Sequence, residues 1–208
     1  MKQKEDKVVL VQQVFKTLFF LILFSVNCFA GDKDLSNVEN YLNNIKYIKA
    51  NFIQDDKVNS QLAEGVFYIS RPGKLRLDYL NPFKASLYTN NKLTTYYDKD
   101  LDEISNIKTS STPLYFLLKE KISLSDKDIK ILNFEETKKE IELTLKENNK
   151  EEQGTLILKF TRNPIELKSM TLINGLDQET EITLINISKE PIKNSVFKFE
   201  NPRLKRKI

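Results

Sequence analysis

The sequence predicts a mainly β protein with some α-helix. We expect a curved antiparallel sheet of about eleven strands, an amphipathic N-terminal helix and one short apolar helix. Apolar residues recur every three to four positions over residues 32–48 and every second position over most of the later chain, with turn residues between these segments. Of the 208 residues, 40% are hydrophobic and 30% charged, which is a globular composition. One domain covering residues 31–208 is predicted.

Residues 1–30 are typical of a secretory signal peptide. Lysines precede an apolar run at residues 17–26, and the −3 and −1 positions of the expected cleavage site hold the small residues Cys28 and Ala30. The run is about half of the roughly 20 residues that a membrane-spanning helix needs. We therefore expect export and cleavage after Ala30, with an uncleaved membrane anchor as an alternative. Retention of Cys28 as a lipidated first residue is a second alternative, although Ser25 and Asn27 depart from the usual lipoprotein signal.

Composition argues against several classes of enzyme. The chain has no His, no Trp and one Cys, so it lacks the side chains for His-based proton transfer, Cys/His nucleophilic catalysis and Cys/His zinc sites. We expect no enzymatic activity, no cofactor and no metal. An exported hydrolase that uses Asp and Glu is a distant alternative, because no two carboxylates group convincingly.

Charge gives no indication of a nucleic-acid partner. Without residues 1–30 the basic and acidic residues nearly balance, and the remaining excess lies in the C-terminal tail. The basic residues of that tail are Arg203, Lys205, Arg206 and Lys207. A solvated terminus is the plainer interpretation of this tail, and weak attraction to a membrane surface is the alternative.

The N-terminal helix is predicted from one apolar face over residues 32–48. Its members are Leu35, Val38, Tyr41, Leu42, Ile45 and Ile48. Polar residues occupy the opposite face, so this helix is expected to cover a core or a cavity.

The strands are predicted from alternating apolar and polar residues between turns that contain Pro, Gly and Asn. Their expected bounds are 50–56, 63–70, 74–80, 85–90, 93–98, 102–108, 129–136, 139–147, 153–161, 165–173, 179–187 and a short last strand at 195–199. An antiparallel sheet of this size must curl or close, because a long flat sheet leaves exposed edges and an uncovered apolar face.

A second helix is predicted where the alternation stops. Thr112 is expected at the N-cap and Pro113 at the first helical position, followed by five large apolar residues at 114–118 and an end at Lys119. This helix is more apolar than one buried face requires. It either fills the open end of the sheet as ordinary core or covers an apolar cavity, and the pattern alone does not separate the two.

A set of short motifs carries a family resemblance. In chain order they are residues 50–54, 64–65, 68–76, 78–79, 81–82, 90–93, 96–98, 111–114 and 117–118. In this order and spacing they resemble LolA, the family of periplasmic carriers of outer-membrane lipoproteins. The resemblance covers residues 31–208, most clearly from 35 to 120 and weakly from 125 to 190. Residues 94–96 are more polar than in many relatives, so the pocket is expected to differ in shape.

The resemblance implies a fold and a set of partners. The fold would be an incomplete, half-open antiparallel β-barrel covered by helices, with an apolar interior for lipoprotein acyl chains. Such a carrier accepts cargo from an inner-membrane ABC transporter, crosses the periplasm as a monomer and passes the cargo to an outer-membrane receptor lipoprotein. The alternatives are a receptor lipoprotein of the same fold anchored at Cys28, or another periplasmic lipid-binding or sensor domain.

The resemblance also implies site residues. Arg71 matches the family arginine that holds the lid closed by hydrogen bonds to helix carbonyls, which here fall at Leu42, Leu117 and Leu118. A surface arginine in a turn before proline is the plainer interpretation of Arg71. The remaining candidates for the cavity wall are Leu35, Val38, Ile45, Phe52, Phe67, Leu75, Leu77, Tyr79 and Leu114. We expect a loaded open state and an empty closed state, with Arg71 favouring the closed one.

Overall fold

The computed structural model describes residues 30–90, 92–148 and 154–205. The predicted signal peptide, with Cys28, therefore lies outside the described residues except for Ala30. The described residues belong to two units, which divide between Ser36 and Asn37. The described part of the first unit is the beginning of helix α1, Ala30–Asn44, and the second unit contains the sheet.

The described residues of the second unit contain eleven strands, all antiparallel to their neighbours. The strands are β1 Tyr47–Asp56, β2 Gln61–Ser70, β3 Lys74–Asn81, β4 Ala85–Asn90, β5 Leu93–Asp98, β6 Glu103–Lys108, β7 Ile129–Glu136, β8 Glu140–Glu147, β9 Thr155–Arg162, β10 Ile165–Ile173 and β11 Glu179–Ser188. The short helices are α2 Tyr115–Leu118 and α3 Pro202–Lys205, with 3-10 turns at Thr109–Ser111 and Asn194–Phe197.

The sheet order is β6-β5-β4-β3-β2-β1-β11-β10-β9-β8-β7. Two meanders therefore meet where β1 pairs with β11, and β6 and β7 form the two edges of a sheet that does not close. This confirms the predicted fold class, an incomplete antiparallel barrel with few helices. The long connection from β6 to β7 carries α2, which lies where the apolar run at 114–118 predicts a helix.

Alternation along each strand separates a buried face from an exposed one. In β1, Ile48, Ala50 and Phe52 are buried, and Lys49 and Asn51, which alternate with them, are exposed. In β8 every second residue is buried in the same way, and the apolar ones, Ile141, Leu143 and Leu145, are fully buried. This period of two is what a sheet with one covered face requires.

Gly65 allows β2 and β3 to approach closely. A Cβ at this position would lie 1.9 Å from the carbonyl oxygen of Asp78 and 2.8 Å from the Phe52 ring. The register between the two strands also shifts between Glu64 and Gly65. The glycine is therefore required by space and not by an unusual backbone angle.

Three element predictions need correction. Helix α1 ends at Asn44, and Ile48, which the apolar spacing placed on the helix, lies in β1. The predicted strand at 195–199 contains a 3-10 turn whose Phe197 is buried, while the Phe199 ring contacts Tyr88 at 5.3 Å between centroids. In both segments a buried apolar residue happens to fall at the spacing of the predicted element, although other parts of the fold bury it.

The third correction concerns the start of α2, the short apolar helix. Helix α2 begins at Tyr115, and Leu114, not Thr112, occupies the position before it without a side-chain cap. The hydroxyl of Thr112 instead donates to the carbonyl oxygen of Thr109 at 3.1 Å. The amides of Tyr115 and Phe116 bond the backbone carbonyls of Thr112 and Pro113 at 3.0 and 3.2 Å, so these two amides are paired without a side-chain cap.

Candidate functional site

Within the second unit, an apolar cavity lies between the C-terminal end of α1, the β6–β7 connection and the inner face of the sheet. Its space, including the mouth, is about 270 Å³. The lining residues are Leu42, Ile45, Ile48, Ile69, Arg71, Leu117, Ile122 and Leu167. Seven of these eight are aliphatic, so Arg71 is the polar group of the lining. Such a surface suits a hydrocarbon ligand better than a polar one.

Arg71 connects α1 to the segment that follows α2. It lies in the turn between β2 and β3, and only 8% of its surface is exposed. Nη1 donates to the carbonyl oxygens of Leu42 and, at 3.4 Å, Ile45. Nε and Nη2 donate to the carbonyl oxygen of Lys119 at 2.9 and 2.6 Å, and Nη2 also donates to Glu120 at 3.2 Å. One guanidinium therefore joins two separate covering segments.

Burial disfavours the charged form of the Arg71 guanidinium, and the surrounding carbonyls favour it. Burial lowers the pKa of the Arg71 guanidinium from its ordinary value. The carbonyls near the C-terminus of α1 carry partial negative charge, which favours the cation at this place. An arginine with a lowered pKa remains protonated near neutral pH, because its ordinary pKa lies far above 7. The group therefore acts as a permanent donor.

Residues 115–124, which we call the lid segment, are held by further polar contacts. The amide of Gly73 donates to the carbonyl oxygen of Leu118 at 2.9 Å. The side-chain amide of Asn43 bonds both backbone groups of Ile122, donating to its carbonyl oxygen at 2.7 Å and accepting from its amide at 2.9 Å. The lid segment is thus joined both to α1 and to the β2–β3 turn.

The described residues contain no group of three or more His, Cys, Asp and Glu side chains that could hold a metal ion. Over the same part of the chain, no helix is long and apolar enough to cross a membrane.

A family model described as outer membrane lipoprotein carrier protein LolA matches residues 43–200, which is more than half of the chain. The chain belongs to the LolA family. The match includes the strands, Arg71 and the lid segment, but begins after most of α1.

Individual relatives are distant in sequence but extend over most of the chain. An outer-membrane lipoprotein carrier protein of Pseudomonas fluorescens is 27% identical over 196 residues, which is 88% of this chain and 92% of the relative. An uncharacterized protein of Rickettsia prowazekii is 25% identical over 193 residues, or 92% of this chain and 88% of the relative. Among solved structures, a LolA superfamily protein from Nitrosomonas europaea covers 83% of this chain and 99% of that one, at 6% identity and a TM-score of 0.48.

The carbonyls that bond Arg71 agree only in part with the predicted ones. Leu42 supplies an acceptor carbonyl as expected. At the lid segment, however, Arg71 bonds the carbonyls of Lys119 and Glu120 and not those of Leu117 and Leu118. Helix α2 ends at Leu118 and the backbone becomes extended at Lys119, with ψ of 143°. This change of direction turns the later carbonyls toward the guanidinium.

The other residues predicted for the cavity wall are mostly buried. Those below 10% exposure are Val38, Leu42, Ile45, Phe52, Phe67, Leu75, Leu77, Tyr79, Leu114, Leu117 and Leu118. Leu42, Ile45 and Leu117 line the 270 Å³ cavity, whereas the five strand residues do not. Leu35 lies on α1 in the first compact unit and is half-buried.

Four lining residues were missed: Ile48, Ile69, Ile122 and Leu167. Ile69 could have been found, because it follows Phe67 in the same alternating register. Ile48 was assigned to a helix face. Ile122 and Leu167 carry no local signal of this kind, since Ile122 lies in a loop and Leu167 lies at a register shift of β10.

Tyr79 makes a polar contact on the inner face of the sheet. Its hydroxyl donates to the side-chain oxygen of Gln54 at 2.8 Å, and its ring meets Phe52 edge-on at 5.3 Å. Burial, with a smaller contribution from Tyr96, raises the pKa of Tyr79 to about 12. The phenol is therefore neutral near physiological pH and serves as a hydrogen-bond donor.

Proposed function

We propose that this chain is a periplasmic carrier of lipoproteins and not an enzyme. In this proposal the lipoprotein acyl chains enter the apolar cavity, and the carrier moves its cargo from an inner-membrane ABC transporter to an outer-membrane receptor lipoprotein. Membership of the LolA family supports a carrier role. The observation that carries the proposal is the single guanidinium, Arg71, that joins α1 and the lid segment over an aliphatic cavity.

The physical task requires such a cavity. Each CH₂ group moved out of water contributes about 0.8 kcal/mol, so one chain of roughly sixteen carbons contributes on the order of 13 kcal/mol. A lipoprotein with several such chains does not cross an aqueous compartment unless they are covered. The aliphatic residues around the cavity offer this cover.

The cavity is too small for this cargo in the described conformation. The space inside it that a water-sized molecule can reach is about 10 Å³, room for about one water, whereas pockets that hold a small-molecule ligand have about 300–1,000 Å³. We therefore propose that loading opens the lid segment and that the described conformation corresponds to the empty carrier. Loss of the Arg71 hydrogen bonds on opening would make closure favourable once cargo leaves.

Cargo capture tests the proposal. The chain should be purified from a periplasmic extract prepared without detergent, crosslinked, and examined by mass spectrometry for attached lipoproteins. The matched control is the same cargo with its acylated cysteine replaced by serine, which removes the acyl chains. We expect capture of the acylated form only. Equal recovery of both forms, or of neither, would refute the carrier proposal.

The mature N-terminus distinguishes a soluble carrier from an anchored receptor. Cleavage after Ala30 leaves Gly31 as the first residue, whereas a receptor of the same fold would begin with acylated Cys28. Mass spectrometry of the intact mature protein measures this difference directly. We expect an unmodified chain that begins at Gly31, and an acylated Cys28 would favour the receptor.

A further inference from the structure

Lys119 is contacted at two points by different parts of the sheet. Its backbone carbonyl accepts two hydrogen bonds from Arg71, at 2.9 and 2.6 Å. Its ammonium lies 2.7 Å from Oε1 of Glu147, the last residue of β8. The side chains are 23% and 7% exposed, so this ion pair is much less solvated than a surface pair.

Glu147 is an exception in its strand. The inward register of β8 consists of Ile141, Leu143 and Leu145, and Glu147 is the next member of that buried row. A carboxylate in an aliphatic row is unfavourable unless a cation compensates it. The ammonium of Lys119, which comes from the lid segment and not from the sheet, supplies that cation.

The two contacts lie on opposite sides of the inner face. Four strands, β1, β11, β10 and β9, separate β2 from β8 in the sheet order. Arg71 follows β2 and Glu147 ends β8, so Lys119 connects distant parts of the sheet. Phe116, one turn before Lys119, lines a small pocket together with Leu145 and Glu147, and the space in it that a water-sized molecule can reach is about 10 Å³. The end of α2 therefore lies against β8 both by packing and by charge.

We propose that Glu147 is a second positioning residue of the lid segment, which acts through Lys119 and presents the Lys119 carbonyl to Arg71. This inference rests on the proposed carrier function, in which the lid segment opens. Opening moves the ammonium away from a buried carboxylate, so the Glu147 contact favours closure in addition to Arg71. It also fixes the place at which the lid segment closes, because an ion pair of this kind is satisfied at one position.

The proposal predicts a specific pattern in a double-mutant cycle. Lys119→Met leaves Glu147 without its lid cation, and Glu147→Met removes the carboxylate that holds Lys119. Each single change should increase hydrogen exchange of the amides at 115–122 by about tenfold to hundredfold, the range expected for a hydrogen bond to a charged group. The double change Lys119→Met with Glu147→Met should restore slow exchange, because a buried ion pair can be replaced by apolar side chains at little cost.

Two controls separate positioning from simple loss of structure. Lys121→Met makes the same substitution two residues away, at an exposed side chain, and should leave exchange unchanged. Lys119→Arg keeps a cation near Glu147 and should retain most of the protection. Exchange in β1–β4 is recorded in every variant, since it reports whether the sheet itself remains folded.

The outcomes distinguish this inference from the carrier proposal. Exchange is measured on the purified chain without cargo, whereas the carrier proposal depends on capture of acylated lipoproteins. Additive effects in the cycle, or equal exchange for Lys119→Met and Lys121→Met, would overturn the role of Glu147 whatever the cargo result. Restored protection in the double variant would support it even if no lipoprotein is captured, and the carrier proposal alone would then fail.

Discussion

Replacement of Arg71 by leucine should separate loading from unloading. In the described conformation the guanidinium bonds four backbone carbonyls, two near the end of α1 and two in the lid segment. Leucine has no donor, so all four carbonyls lose this partner. Because leucine is apolar, it should still suit the aliphatic cavity and leave the capture of acyl chains intact.

The size of the effect follows from the acceptors. A hydrogen bond that involves a charged group contributes about 1.5–3 kcal/mol. If one acceptor is counted in each covering segment, Leu42 in α1 and Lys119 in the lid segment, two such bonds are lost. The free energy that favours the closed state over the open state should then fall by about 3–6 kcal/mol. Since about 1.4 kcal/mol corresponds to tenfold, the closing equilibrium should fall by roughly a hundredfold or more. Arg71→Lys should give an intermediate result, because lysine keeps the charge but not the planar arrangement of donors.

The assay is transfer from a preloaded carrier to a purified receptor lipoprotein. We expect Arg71→Leu to load as well as the original chain and to release cargo about a hundredfold more slowly. Arg162→Leu is the matched control, because Arg162 bonds Thr137 and Glu136 and does not line the cavity. Unimpaired transfer by Arg71→Leu would show that the latch reasoning is wrong.

Three further predictions concern stability and the lid segment. Gly65→Ala should lower the free energy of unfolding by about 3 kcal/mol, because its Cβ has no space beside β3, and an unchanged urea midpoint would contradict this. Asn43→Ala should cost about 1–3 kcal/mol and speed hydrogen exchange at Ile122, whose two backbone groups lose their partner. Tyr79 has a pKa raised to about 12, so the unfolded chain ionises first and stability falls as pH rises from 10 toward 12. Tyr79→Phe should remove that part of the loss when urea unfolding is compared at about pH 9 and pH 11, and an identical pH dependence in both proteins would refute the assignment.

Much of the sheet was readable from local pattern. The predicted strand at 74–80 corresponds to Lys74–Asn81, and that at 139–147 to Glu140–Glu147. Alternation is a local property that a strand with one covered face imposes on its own residues. The errors occurred at Ile48 and Phe197, which are apolar residues buried in a strand and in a 3-10 turn. Each lies by coincidence at the spacing of the element that was predicted there, three residues for the helix and two for the strand.

The site was only partly predictable. Arg71 was found through its motif and not through any property of its own, since an arginine before proline is equally typical of a surface turn. The lid acceptors were placed two residues too early because the end of a four-residue helix leaves no clear signal in sequence. Glu147 appeared only as the final residue of a predicted strand, and its burial depends on a lysine 28 positions away, which no local period reveals.

The amino-acid sequence by itself determined the antiparallel strands, the apolar lid helix, the lack of catalytic His and the family motifs. Residues close together in the chain encode these features, because their spacing indicates which face of a strand or helix is buried. The tertiary structure alone decided which carbonyls meet Arg71, which aliphatic residues surround free space, and which cation compensates Glu147. The physical reason is that a cavity and a buried ion pair are properties of segments far apart in the chain, so they exist only after the sheet has brought those segments together.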